Sequence, residues 1–274
     1  MRNRNSERSN TMDRRRLLTL LAAGTAVALT GCTQAHSDPL DSGSAGGNGQ
    51  PGTSPRLLPA PPGGPKTPIG AGTITGLPGS GNSLALTVDD GASAEVVGAY
   101  IEFARRTGAR FTFFVTAYYD SWSIHRDALR PLVDSGQIQL GNHTWNHPDL
   151  TTLSASAVSA QLDQAKTFLR NTFGVDGTPF YRPPFGRHNG TVDKVAADLG
   201  YTVPTMWYGS LSDSGVITED YLMECARKYF NPQTIVIGHA NHPAVTHCYD
   251  QLVDVIRERN LAMVTLNDVL APPR

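Results

Sequence analysis

From about residue 81 onward, apolar positions arrive in two alternating rhythms. Short runs rich in β-branched and aromatic residues recur at 84–88, 111–115, 138–140, 180–182, 203–208, 235–237 and 262–264. Between most of them lie stretches with helical spacing, at 94–106, 126–133, 155–173, 191–199, 219–230 and 249–259. Ser154 is placed to cap a helix start, and Gly108, Gly174 and Gly200 to end helices. Alternation of this kind demands a mostly parallel sheet with helices outside it, as a barrel or as a doubly wound sheet. In either arrangement the functional groups gather at the C-terminal ends of the strands.

Ahead of residue 81 the rhythm is lost. Residues 33–80 are Gly, Pro, Ser and Ala punctuated by isolated apolar side chains, which reads as a flexible linker. A Gly-rich coil of roughly 45 residues has a reach of roughly 35 to 40 Å, and its Pro-rich pieces are stiffer. Before it, Arg14, Arg15 and Arg16 precede an apolar run over 17–29 and then Thr30, Gly31 and Cys32. That is the layout of an export signal over residues 1–31. The run is too short to span a bilayer comfortably, which takes ~20 helical residues.

Leu29-Thr30-Gly31-Cys32 resembles the lipobox of bacterial lipoproteins, which implies that Cys32 is lipidated and becomes the mature N-terminus. Two acyl chains are what stable membrane anchoring requires. The Arg run followed by Leu17 and Leu18 also resembles a twin-arginine signal.

Charge narrows the partner. The first 31 residues hold six Arg against Glu7 and Asp13, which leaves 17 basic and 22 acidic residues in the rest, a net of minus five. A mildly acidic body without a basic block is a poor match for nucleic acid. Apart from Cys32, the cysteines are Cys225 and Cys248, either a disulfide outside the cytoplasm or two core thiols.

The candidate chemistry sits at strand exits. The first strand of the body runs into Asp89-Asp90-Gly91, and adjacent carboxylates raise each other's pKa unless a cation or a donor intervenes. At the end of the third strand come His143 and His147, four apart and followed by Pro148. On a helical turn that spacing puts both imidazoles on one face, suited to one metal. One Asp with two His leaves zinc an open position, while the second Asp is free to take a proton from water. Two further exits carry Arg182-Pro183-Pro184-Phe185 and Gly238-His239. A guanidinium can hold a basic carboxylate in place, and a His opposite can protonate a leaving amine. No Gly-x-Ser-x-Gly elbow of a serine hydrolase is present in the sequence.

Together, Thr87-Val88-Asp89-Asp90-Gly91, His143-Thr144-Trp145-Asn146-His147-Pro148, Arg182-Pro183-Pro184-Phe185 and Ile235-Val236-Ile237-Gly238-His239 resemble the polysaccharide deacetylases of the NodB homology type, carbohydrate esterase family 4. The resemblance runs over 83–270, within a domain at 81–274. It implies an irregular (β/α)7-type barrel with outer helices and a metal-dependent hydrolase acting on an N-acetylated glycan. Its metal is Zn2+, or another divalent ion such as Co2+, held by Asp90, His143 and His147. Asp89 is the implied base, His239 the acid, and Arg182 and Asp213 their positioning partners. Phe185 is implied as an oxyanion donor through its backbone N–H, with Pro184, Trp207 and Ile237 beside the substrate. Val88 and Ala92 stand where the family usually has Phe and Pro, and Asp213-Ser214 where it has Asp-Trp. The expected protein is a monomer tethered to the outer face of a membrane through Cys32. Tyr118, Tyr119 and Trp122 are further candidates for a sugar groove.

Overall fold

The computed structural model describes residues 57–271. Its strands are β1 (Thr67–Pro68), β2 (Ser83–Asp90), β3 (Phe111–Val115), β4 (Ile138–Asn142), β5 (Phe180–Tyr181), β6 (Val203–Pro204), β7 (Gly209–Ser210), β8 (Thr234–His239), β9 (Ala262–Met263) and β10 (Leu270–Ala271). The helices are α1 (Ala94–Thr107), α2 (Ser121–Ile124), α3 (Arg126–Asp134), α4 (Ala155–Phe173), α5 (Gly190–Asp198), α6 (Glu219–Tyr229), α7 (Tyr249–Glu258) and α8 (Leu266–Val269). The main sheet runs β6-β5-β4-β3-β2-β8-β7, with β9 also paired to β2 and every pairing in it parallel.

β2 is central and all eight of its residues are buried, as expected of a parallel strand covered on both faces. α1 begins at Ser93, whose hydroxyl accepts from Val96 N–H, and ends at Gly108 with φ 73. Ser154 and Gly174 bound α4 in the same way. One large apolar cluster joins these helices to the sheet, with Phe103 stacked on Tyr249 at 4.5 Å and Trp122 edge-on to Phe113 at 5.1 Å.

The curl of the sheet follows from connectivity. β6 and β7 lie at opposite ends of the strand order, yet only four residues, 205–208, separate them. The five Cα steps from Pro204 to Gly209 span roughly 18 Å at most, so the two edges must bend toward each other into an irregular half-barrel. The single strand expected at 203–208 is therefore two short pieces on opposite edges.

The gap between those edges is filled by a segment expected to be linker. Ile74 donates its N–H to Pro204 O at 3.0 Å and accepts from Met206 N–H at 2.8 Å, while Leu77 N–H reaches Gln233 O at 2.9 Å. Leu77 is buried in a second cluster with Phe114, Phe180, Val203 and Ile235, against which Ile69 and Ile74 also pack. Further upstream, β1 pairs with β10, and Leu58 is buried with its N–H on Thr107 O. Within the stretch expected to be linker, residues 57–80 therefore carry backbone hydrogen bonds to the body, with Leu58 in the main cluster and Leu77, Ile69 and Ile74 at the second. Residues 33–56, the export signal and Cys32 lie outside the described residues.

Candidate active site

The mouth of the half-barrel is formed where β2, β4 and β8 end. Asp89 and Asp90 are consecutive in β2, and regular alternation would send them to opposite faces. Asp90 instead has φ 73, a left-handed turn that ends the alternation and brings both carboxylates to one place. Trp122 fixes that turn, its indole N–H shared between Asp90 O at 3.2 Å and Thr116 O at 3.1 Å. A β-carbon at Gly91 would overlap the indole ring, so the sharp exit needs glycine there. Trp122 is fully buried and serves this packing; it does not line a groove.

The two histidines converge, but by a different route from the helical turn expected. Residues 143–149 form a loop in which Thr144 has φ 72 and His147 φ 63. Side chains satisfy its backbone: Asn142 Oδ1 accepts from Thr144 N–H, Thr144 Oγ1 from His147 N–H, and Gln161 of α4 from both Trp145 and Asn146. The imidazole rings end 4.9 Å apart. Of the seven described non-Gly residues with positive φ, five (Asp90, Thr144, His147, Phe185 and Ser212) lie on the exits and loops that build this mouth. Concentrated backbone strain of this sort marks a functional region.

His143 Nε2 and His147 Nε2 each stand 3.4 Å from Asp90 Oδ1. Ligand atoms of Asp90, His143 and His147 all lie within 4.8 Å of one another. Asp90 Oδ1 is buried with no hydrogen-bond partner, whereas Oδ2 accepts from Asn241 Nδ2 at 2.7 Å. His143 Nδ1–H donates to Arg182 O at 2.6 Å, which fixes the tautomer and turns the Nε2 lone pair toward Asp90. An orphaned carboxylate oxygen facing two imidazole nitrogens fits a divalent cation by donor chemistry and by spacing.

Electrostatics agree. Burial opposes ionisation of Asp90, but the facing imidazoles and the Asn241 amide outweigh it and hold Asp90 below the usual carboxylate range. Burial, joined by the nearby His143, lowers the proton affinity of His147. At His143 burial is outweighed by the carboxylates of Asp89 and Asp90, and the net direction is upward. The spot where those lone pairs meet favours positive charge.

Asp89 is held from behind. Arg182, fully buried, donates through Nη1 to Asp89 Oδ1 at 2.6 Å and to Thr87 Oγ1 at 2.9 Å. Its Nε and Nη2 donate to Thr205 O and Met206 O, so the same side chain ties the closing segment of the barrel to the site. Its guanidinium lies 4.3 Å over the Phe114 ring and 5.4 Å over that of Trp207. Asp89 Oδ2 points the other way, 3.5 Å from His143 Nε2. Across the mouth, His239 Nδ1–H donates to Asp213 Oδ1 at 3.0 Å and its backbone N–H to Oδ2 at 3.2 Å. Burial lowers the proton affinity of His239, but the hydrogen bond to Asp213, followed by the charge of Asp89, reverses that, and the net direction is upward.

These groups open on a cavity of about 500 Å³ lined by Asp89, Asp90, His143, His147, His239 and Asn241, with Tyr119, Phe185, Trp207 and Ile237 among its walls. Pro184 is buried and its neighbour Pro183 takes the lining place expected of it. Phe185 has φ 58, is well exposed, and sets its ring 4.7 Å from that of His147. Of the other groove candidates, Tyr118 is exposed beside Trp145 and Tyr119 lines the cavity. Asn241 escaped the sequence reading; its position two residues after His239 on the same strand exit was the available signal. Cys225 and Cys248 are buried free thiols.

A carboxylate held by a buried guanidinium at the mouth of a parallel barrel, beside three side chains able to hold a cation, is an arrangement suited to activating water. The polysaccharide deacetylase family model matches residues 77–204. An uncharacterized protein of Streptomyces coelicolor is 31% identical over 194 residues, which cover 68% of this chain and 72% of that one. A chitin deacetylase of Arthroderma benhamiae is 25% identical, covering 70% of this chain and 53% of its own length. A peptidoglycan-N-acetylglucosamine deacetylase of Listeria monocytogenes is also 25% identical, with 68% and 38% covered. The chain therefore spans about half or less of these last two relatives. Among solved structures, a pseudoenzyme of carbohydrate esterase family 4 from Bacillus anthracis shares the fold at TM-score 0.65 and 19% identity, over 75% of this chain and 72% of that one. The chain belongs to the polysaccharide deacetylases, the enzymes of carbohydrate esterase family 4.

Proposed function

We propose that the chain is a metal-dependent hydrolase that removes N-acetyl groups from an envelope glycan, peptidoglycan being the substrate favoured. The observation that carries this reading is the buried, unpartnered Asp90 Oδ1 facing His143 and His147, directly beside an Asp89 held by Arg182.

Asp90, His143 and His147 would hold Zn2+ or a similar divalent ion, which when bound would supply a water of lowered pKa, toward ~7, and a Lewis acid for the acetyl carbonyl. Asp89 takes the proton of the attacking water through Oδ2, since Oδ1 is committed to Arg182. Arg182 keeps that carboxylate aimed. The backbone N–H of Phe185 faces the developing oxyanion, and Trp207 and Ile237 wall the acetyl methyl. His239, oriented by Asp213, delivers a proton to the departing sugar nitrogen.

The leader and Cys32 support export and lipid anchoring on the outer face of a membrane. Leu57 and Leu58 meet the body at the C-terminal ends of α7 and α1, on the side of the sheet away from the mouth.

The purified chain is expected to release acetate from N-acetylglucosamine oligomers and from peptidoglycan, to stop when a chelator is added and to recover with Zn2+ or Co2+. Acetate from O-acetylated xylan alone would overturn the amide assignment, and full activity after metal removal would overturn the site.

A further inference from the structure

Asn241 has no part in the chemistry outlined above, yet it touches the cation site. It lies just past the end of β8, where that strand exit is fastened to the exit of β2. Ala240 N–H donates to Asp89 O at 2.9 Å, and Ser93 N–H donates to Ala240 O at 3.0 Å. The chain around residue 240 is thus held against the Asp89–Asp90 turn by main-chain bonds, before the Asn241 side chain makes any contact of its own.

That side chain makes two contacts of opposite polarity. Ala92 N–H donates to Asn241 Oδ1 at 3.2 Å, and Asn241 Nδ2 donates to Asp90 Oδ2 at 2.7 Å. An amide can be turned over, exchanging its oxygen and nitrogen, and only its neighbours decide which way it points. Here a main-chain N–H can only donate and an ionised carboxylate can only accept, so both neighbours demand the same orientation. Ala92 stands where the family usually has proline, and a proline would offer no N–H to fix the amide.

The two oxygens of Asp90 consequently differ. Oδ2 is taken by the amide, while Oδ1 is buried without a partner, 3.4 Å from Nε2 of both His143 and His147. A carboxylate meets a divalent ion through one oxygen or through both. A second oxygen from Asp90 would occupy the position that a catalytic site keeps open for water. We infer that Asn241 is a positioning residue that makes Asp90 a one-oxygen ligand, and that the Ala92 N–H is what aims it. The inference rests on the reading of Asp90, His143 and His147 as a cation site. Partners behind a ligating carboxylate fix its direction, and losing one weakens metal binding about 10- to 100-fold. Asn241 acts through Asp90 alone, since its two side-chain hydrogen bonds reach neither histidine nor Asp89.

The test loads the full chain with Co2+, measures Kd by calorimetry and records the visible absorption, whose bands follow the number and arrangement of ligand atoms. Asn241→Ala removes donor and acceptor together. Ala92→Pro leaves the amide but withdraws the N–H that orients it. Asn241→Ala is expected to raise Kd by about 10- to 100-fold and Ala92→Pro by less, and both to alter the spectrum, because Asp90 is then free to turn its second oxygen to the ion. A Kd for Asn241→Ala within roughly threefold of the unaltered chain, or a spectrum that overlays it, overturns the inference. An Ala92→Pro chain that matches the unaltered one in both readouts overturns the part given to the Ala92 N–H. Asn241 is half-buried, and should the alanine chain fail to fold by circular dichroism, Asn241→Leu, of similar shape without a polar atom, is judged by the same limits. An unaltered chain that takes up neither Co2+ nor Zn2+ sinks the cation reading and this inference with it; an unaltered chain that binds while the Asn241 variant binds alike sinks this inference alone.

Discussion

Arg182→Met separates the two duties of one side chain. The guanidinium is fully buried and donates to Asp89, Thr87 and the carbonyls of Thr205 and Met206, the last two being the segment that closes the barrel. Breaking a buried ion pair by removing one partner costs ~3–5 kcal/mol, because the remaining charge is left uncompensated. Each of the two carbonyls deprived of its donor adds about 1 kcal/mol or more. The expected loss, roughly 5 to 7 kcal/mol, is comparable with the whole stability of many domains, ~5–15 kcal/mol. Asp89→Asn alone leaves the cation buried against a neutral amide and costs less. The double variant Asp89→Asn with Arg182→Met removes both members of this ion pair, so it should regain at least ~2 kcal/mol relative to the sum of the single losses. Urea unfolding followed by tryptophan fluorescence reads all four chains, with Trp207 beside the altered guanidinium as a local probe. A loss below 1 kcal/mol in Arg182→Met, or strict additivity in the double variant, refutes the view that this pair is held together by mutual compensation.

Other expectations follow from the same geometry. Asp89→Asn should lower kcat by about 10²- to 10⁴-fold with KM and metal content retained, because it removes the base and spares the three ligands; loss of bound metal in this variant would show that the duties of the two aspartates are misassigned. His143→Ala should abolish stoichiometric Zn2+ binding, measured by elemental analysis, while far-ultraviolet circular dichroism stays unchanged. In Asp213→Asn the support that raises His239 is gone, so the acid loses its proton at lower pH and the alkaline limb of kcat/KM moves toward acid; a limb that stays in place removes His239 from the role. A chain starting at residue 81 forfeits buried Leu58 and Leu77 and the packing of Ile69 and Ile74, roughly 5 kcal/mol of apolar burial, and should melt far below one starting at 57.

The parts of the fold legible in sequence were those that repeat. β2, β3 and β8 are rich in apolar residues because they are covered on both faces, and the cap at Ser154 and the stops at Gly108 and Gly174 are signals that physical chemistry recognises without tertiary context. The candidate site was legible because its residues sit at strand exits, where an α/β fold must gather them. What escaped was the route. The i, i+4 spacing of His143 and His147 satisfies a helical turn on paper. Asn142, Thr144 and Gln161, however, offer the backbone better partners in a loop, and no periodicity records a side chain that bonds to a main chain.

The segment 57–80 escaped for a deeper reason. A half-barrel whose edges are β6 and β7 leaves unpaired backbone along its seam, and buried main-chain groups without partners are costly. Ile74 and Leu77 meet that need with backbone hydrogen bonds to both sides of the seam and with side chains in the barrel interior. Neither the requirement nor its solution is visible until the sheet has closed, because the partners are 130 or more residues away in sequence. Arg182 solves the other half of the same problem from inside, by donating to carbonyls on the closing strand while gripping Asp89. Closure of the sheet and placement of the Asp89 carboxylate therefore depend on the same buried side chain.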